Sequence, residues 1–67
     1  MITIRIVEVT LSDDSKAYDV NLEQDKQAIK LEAVTYKDAN DFAHALQAVI
    51  VKHTNQIATI AYGLDRH

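Results

Sequence analysis

The stretch FAHALQAVIVKHTNQIATIAYGL, residues 42–64, decides the fold of this chain, because only one of its 23 side chains, Lys52, carries a formal charge. The 41 residues before it carry five basic and nine acidic side chains. A surface helix or strand normally keeps one charged side in water. We therefore expect this segment to be covered on more than one face, with part of the cover coming from a second copy or another protein.

The first half of the stretch predicts an amphipathic helix that begins after Lys37, with Asp38 as its N-cap. At 100° per residue, seven side chains fall on one arc of about 120°, the width of a core-facing stripe. These are Ala39, Phe42, Ala43, Leu46, Val49, Ile50 and His53.

Two endings of this helix are open. A stop at Asn55, which tolerates the left-handed conformation, leaves residues 56–62 as a fourth strand that Gly63 ends. Alternatively, the apolar stripe continues and one helix runs through residue 62. We favour the first, because a helix of about 36 Å is longer than a small sheet can cover.

Three strands are predicted before the helix, over residues 2–11, 17–23 and 28–36. Apolar side chains occupy both faces of the first, so it has a bulge near Ile6 or is a central strand covered on both sides. Neither connecting turn contains glycine, and we expect neither to be a strict two-residue hairpin. The predicted fold is α+β in a single domain, residues 1–67. It is a three-stranded antiparallel meander followed by one amphipathic helix (βββα), with a short fourth C-terminal strand parallel to the first (βββαβ).

The side of the helix opposite the core is unusually poor in charge. It carries small or branched side chains, and charge depletion is typical of interface centres. The predicted interface residues are His44, Ala48, Val51 and Asn55, and Tyr62 joins them if the C-terminal segment lies alongside. A two-fold homodimer is the commonest way to bury such a patch, and a chain of 67 residues without cysteine gains stability from association.

Acidic residues on the meander form a second candidate, an acidic face that imitates a phosphate backbone. Its members are Asp13, Asp14, Asp19 and Glu23. Lysines lie between them, so a solvated face of mixed charge is the ordinary interpretation.

Composition limits the function classes. A net charge of −3 argues against direct binding of nucleic acid or of an anionic membrane. We expect no signal peptide and no membrane span, hence a cytoplasmic protein. His44 and His53 are nine residues apart and point to opposite sides of a helix, which argues against a metal site. The ordinary interpretation of His53 is a packed ring near the helix C-terminus; a ligand or pH-sensitive role is the alternative.

No pattern of nucleophile, phosphate loop or oxyanion site is present in the sequence, so we expect neither an enzyme nor a cofactor. The prediction is a small acidic protein–protein interaction module, such as an inhibitor, adaptor or antitoxin-like regulator, that occludes a partner surface as a homodimer. One alternative is an acidic nucleic-acid mimic that inhibits a DNA- or RNA-binding protein. The other is a purely structural homomer.

Overall fold

The computed structural model describes residues 1–33 and 35–65. Strands β1 (Ile2–Thr10), β2 (Lys16–Gln24) and β3 (Gln27–Ala33) precede helix α1 (Tyr36–Thr54), and strand β4 (Ala58–Asp65) follows it. The strands form one sheet in the order β3-β2-β1-β4. β1 to β3 make an antiparallel meander, and β4 lies parallel to β1. The predicted α+β fold, including the fourth strand, is therefore confirmed.

β1 is a central strand, as one of the two alternatives predicted, but within the described residues only one of its two apolar faces is covered. It pairs with β2 without a break from Ile2 to Thr10, so the strand is central and contains no bulge. Ile4 and Ile6 are buried under α1, whereas Val7 points to the opposite face of the sheet and is only half-buried. Within the described residues α1 covers one face only, and the other face is called the open face below.

The hydrophobic core lies between α1 and the first face of the sheet. Its largest fully buried side chains come from the two inner strands: Ile4, Ile6 and Val20. From the helix it takes the small residues Ala39 and Ala43. Small side chains let the helix axis approach the sheet closely, so the branched side chains of β1 fill the space beneath it.

The helix begins earlier than predicted. Thr35, not Asp38, is the N-cap, and its hydroxyl accepts a hydrogen bond from the Asp38 amide at 3.1 Å. Threonine is a good cap, and an acidic residue three positions later suits the positive end of the helix dipole. The predicted strand 28–36 therefore ends at Ala33, and Val34 lies outside the described residues.

The helix ends as predicted. Asn55 is the C-cap in the left-handed conformation, with φ 55° and ψ 18°. The single long helix is thus excluded. The prediction that Gly63 ends the last strand is wrong, because β4 runs through Gly63 to Asp65, where the parallel pairing with β1 also ends.

The turn between β2 and β3 also differs from the prediction. Gln24 pairs with Gln27, so only Asp25 and Lys26 form the loop. Asp25 adopts a φ of 54°. Aspartate tolerates this region because its short polar side chain can bond the local backbone, so glycine is not required.

No helix in the described part of the chain is long and apolar enough to cross a membrane.

The packing of the core predicts that two isoleucines contribute very differently to the free energy of unfolding. Ile4 is 0 % exposed and Ile57 is 72 % exposed. We expect Ile4→Ala to lower the free energy of unfolding by about 3 kcal/mol, because it leaves a cavity in the core. The same change at Ile57 creates no cavity and is expected to cost less than about 1 kcal/mol. Urea unfolding measures both, and equal losses would contradict this packing.

Candidate functional site

The apolar stripe of α1 is wider than the part of it that the sheet covers. Of the seven residues on the predicted arc, Ala39, Ala43 and Ile50 are buried and Leu46 packs partly against the core. The remaining three lie on the flank nearest β3 and are exposed: Phe42, Val49 and His53. The prediction of a packed His53 is therefore wrong, because the sheet does not reach far enough to cover it.

The opposite flank of α1 is attached to β4 by polar contacts. The Gln47 side-chain amide donates to the Ala58 carbonyl at 2.8 Å, and the Tyr62 hydroxyl donates to Asn40 Oδ1 at 3.3 Å. These bonds hold the helix on the β4 side of the sheet. As a consequence, the helix does not cover Ile29 and Leu31 of β3, which stay exposed.

An exposed apolar surface results along β3. Its four members come from β3 and from the near flank of α1, and we call this set the β3 edge surface. They are Ile29 (58 % exposed), Leu31 (37 %), Phe42 (41 %) and Val49 (54 %). Leu31, Ala33 and Phe42 line one groove of about 480 Å³ between the strand and the helix, with the acidic residues Glu32 and Asp38 also in its lining. Val49 is two helical turns beyond Phe42 on the same flank.

The backbone of β3 has a defined set of free polar groups. The Leu11 amide donates to the Ser15 carbonyl, so the odd-numbered residues of β1 and β2 form the hydrogen-bonded pairs of these two strands. Hydrogen bonds alternate along antiparallel strands, so even-numbered residues of β2 bond odd-numbered residues of β3. The N–H and C=O groups of Ala28, Lys30 and Glu32 therefore point away from the sheet. No strand among the described residues pairs with them.

The two edges of the sheet thus differ. On β4, the helix side chain Gln47 already bonds an edge carbonyl, that of Ala58. The β3 edge has no proline and no bulge; of the usual protections of an exposed edge it carries charged side chains, Lys30 and Glu32, both on the open face. Its apolar side chains and its outward backbone groups are both available, so this edge is the candidate functional site.

The predicted interface residues lie elsewhere. His44, Ala48, Val51 and Asn55 are all exposed on the helix surface away from the sheet. Tyr62 is on β4, where its ring packs against Tyr36. Its hydroxyl donates to Asn40, on the flank of α1 that faces β4. This patch remains a prediction.

The predicted acidic face divides into two parts. Asp19 and Glu23 lie on the open face, where each pairs with a basic residue: Asp19 with Lys30 at 3.3 Å and Glu23 with Arg5 at 3.2 Å. Asp13 and Asp14 are in the loop between β1 and β2, and Asp14 adopts a φ of 65°. Asp13 Oδ1 accepts hydrogen bonds from the Ser15 amide and hydroxyl.

The three tyrosines form a cluster that the sequence interpretation missed. Tyr36 contacts Tyr18 edge-to-face at 5.5 Å and lies near-parallel to Tyr62 at 6.4 Å between ring centroids. The neighbouring phenol of Tyr62, and then partial burial, raise the pKa of Tyr36. The inward position of Tyr18 was visible in the sequence, but the pairing across helix and strand was not. The cluster ties the start of α1 to the sheet.

No group of three or more potential metal-binding side chains occurs within residues 1–33 and 35–65. Comparison with models of known protein families, with curated proteins and with solved structures found no match to this chain.

The loop geometry predicts the titration of Asp13. The Ser15 hydroxyl, and then the Ser15 amide, hold the pKa of Asp13 below its ordinary value of 3.8. The ionised form is therefore favoured by folding, and this stabilisation is present above the ordinary pKa and is lost as the pH falls through the lowered one. We expect Ser15→Ala to raise the pKa of Asp13 toward 3.8. NMR titration of the carboxyl carbon measures it, and an unchanged pKa would contradict the hydrogen bond.

Proposed function

We propose that this chain is a protein–protein interaction module, without catalytic activity of its own, that binds an extended polypeptide segment along β3. The observation that carries the proposal is the β3 edge surface, in which four exposed large apolar side chains border a strand edge with free backbone groups. A bound segment would act as a fifth strand and lie beside the flank of α1. Addition of a strand to a free sheet edge is a common mode of peptide recognition.

Two kinds of contact would support the bound segment. Its backbone would bond the outward N–H and C=O groups of Ala28, Lys30 and Glu32. Every second side chain would lie beside Ile29 and Leu31 on the same face of the sheet, toward Phe42. Removing the exposed part of such side chains from water contributes roughly 1 kcal/mol each, so backbone bonds provide register and the apolar row provides most of the affinity.

The charges of β3 define the chemistry of the partner. Lys30 and Glu32 alternate with the apolar row and face the other side of the sheet. An incoming strand with an acidic residue opposite Lys30 and a basic residue opposite Glu32 would form two favourable cross-strand pairs. The segment that fits is thus an alternating one, apolar on one side and of mixed charge on the other.

The acidic-mimic alternative has weaker support. Asp19 and Glu23, half of the acidic set, are already neutralised by Lys30 and Arg5 on the open face. A surface that imitates a phosphate backbone needs uncompensated negative charge along its length. The specific roles of inhibitor, adaptor or antitoxin-like regulator remain predictions.

Selection from a library of random peptides tests the proposed binding mode. The protein is immobilised at low density, where copies do not meet, and bound peptides are sequenced. We expect enriched peptides with alternating apolar residues, and we expect them to shift the amide NMR signals of Ala28, Lys30 and Glu32. Binding should fall at least tenfold in Leu31→Lys, because a charge then lies in the apolar row.

Val51→Lys is the matched control, since it places the same charge on an exposed apolar residue of the opposite helix face. It should leave peptide binding unchanged. Peptides that shift signals of the helix instead, or that bind Leu31→Lys as well as the wild type, would contradict the proposal.

A further inference from the structure

We infer that the segment that binds β3 is the β3 strand of a second copy of this chain, an inference that rests on the proposed function. The two strands would run antiparallel about a two-fold axis at Leu31 and join two four-stranded sheets into one of eight strands. Both helices would lie on the same side of this sheet. The contact is isologous, so each copy contributes the same surface.

The axis position follows from the free backbone groups. In a two-fold antiparallel pair, two residues lie opposite each other when their numbers add up to twice the number of the residue on the axis. The outward groups of Lys30 and Glu32 allow them to form a hydrogen-bonded pair with Glu32 and Lys30 of the other copy. Leu31 then faces its own equivalent in the closer, non-hydrogen-bonded position, where side chains make the most contact.

The charges select this register among the alternatives. With the axis at Leu31, each Lys30 lies opposite a Glu32, giving two pairs of opposite charge. With the axis at Lys30, the two Lys30 side chains would face each other, which is unfavourable in a cross-strand position. An axis at Ile29 brings the two Ile29 side chains together, but it leaves Lys30 opposite Ala28 and Leu31 opposite Gln27, so the Lys30–Glu32 pairing and the apolar partner of Leu31 are lost.

The apolar row is also self-complementary in this register. Leu31 packs on Leu31 and Ile29 lies beside Ala33, so an apolar floor is continuous between the two helices. Phe42 and Val49 of each copy form the walls above it. This one contact pairs the free backbone groups of β3 and covers the sides of its apolar side chains, whereas the Val51 patch offers no backbone groups.

Charge exchange at the two positions tests the inference. In Lys30→Glu both facing pairs become acidic, and in Glu32→Lys both become basic. We expect each variant to weaken dimerisation roughly tenfold, because two cross-strand attractions become repulsions. The double variant Lys30→Glu/Glu32→Lys should restore the dimer, and so should an equimolar mixture of the two single variants. Sedimentation over a range of concentrations measures all of them.

The variants control for one another. Lys30→Glu lowers the net charge by two and Glu32→Lys raises it by two. An effect of overall charge would therefore change dimerisation in opposite directions in the two variants. Lys16→Glu, at the start of β2, should leave the dimer unchanged. The Lys30–Asp19 pair is lost in both the single Lys30 variant and the double variant, so only facing charges explain a rescue.

The inference is overturned if the wild type sediments as a monomer at high micromolar concentration, or if Glu32→Lys leaves the dimer intact. It is also overturned if Val51→Glu abolishes the dimer while Leu31→Lys does not. If the wild type is a monomer but selected peptides shift the β3 edge amides, only the second copy is excluded and the proposed function stands. If neither a second copy nor a selected peptide binds β3, both the inference and the proposed function fail.

Discussion

One helix has to cover the apolar face of four strands, and the rest of the structure depends on this mismatch. A helix with its side chains is about 10 Å wide, and neighbouring strands are about 4.8 Å apart. α1 connects β3 at one edge to β4 at the other, and Gln47 and Asn40 hold it toward β4. The helix-side residues Ile4, Ile6 and Val20 of the inner strands are therefore buried, whereas Ile29 and Leu31 of β3 remain exposed.

The β3 edge surface is exposed because of where the helix lies, since its residues are apolar like those in the core. Ile29 and Leu31 have the same spacing and face as the buried Val20 and the partly buried Leu22 of the neighbouring strand. Phe42 and Val49 continue the helix stripe that buries Ala39 and Ala43. A fifth strand beside β3 would pair the free backbone groups and place its own apolar side chains next to Ile29 and Leu31, which would remove the backbone groups and part of the apolar surface from water.

Much of the fold could be predicted from the sequence because its signals are local. Alternation in β2 and β3, the helical stripe and the left-handed Asn55 each depend on a few neighbouring residues, and all three were predicted. The errors concern choices between similar local options. Thr35 and Asp38 are both able to cap a helix, and Asp25 replaces the glycine that a two-residue turn usually requires.

The candidate site could not be predicted in the same way. The charge-poor stretch indicated an interface, but periodicity alone assigned Phe42, Val49 and His53 to the core. Which flank of a wide apolar stripe is covered depends on where the helix lies across the sheet, and that is set by contacts between residues distant in sequence. The tyrosine cluster was missed for the same reason, since Tyr18, Tyr36 and Tyr62 come from three separate elements.

The central claim is that the β3 edge is the surface where another chain binds, and hydrogen exchange of its amides measures this directly. The amides of Ile29 and Leu31 face β2, so they should be protected at every protein concentration. The amides of Lys30 and Glu32 face outward, so they should exchange rapidly in dilute protein and become protected as the concentration rises and a second copy pairs with them. Rapid exchange of Lys30 and Glu32 at all concentrations, while the protein self-associates, would contradict the account.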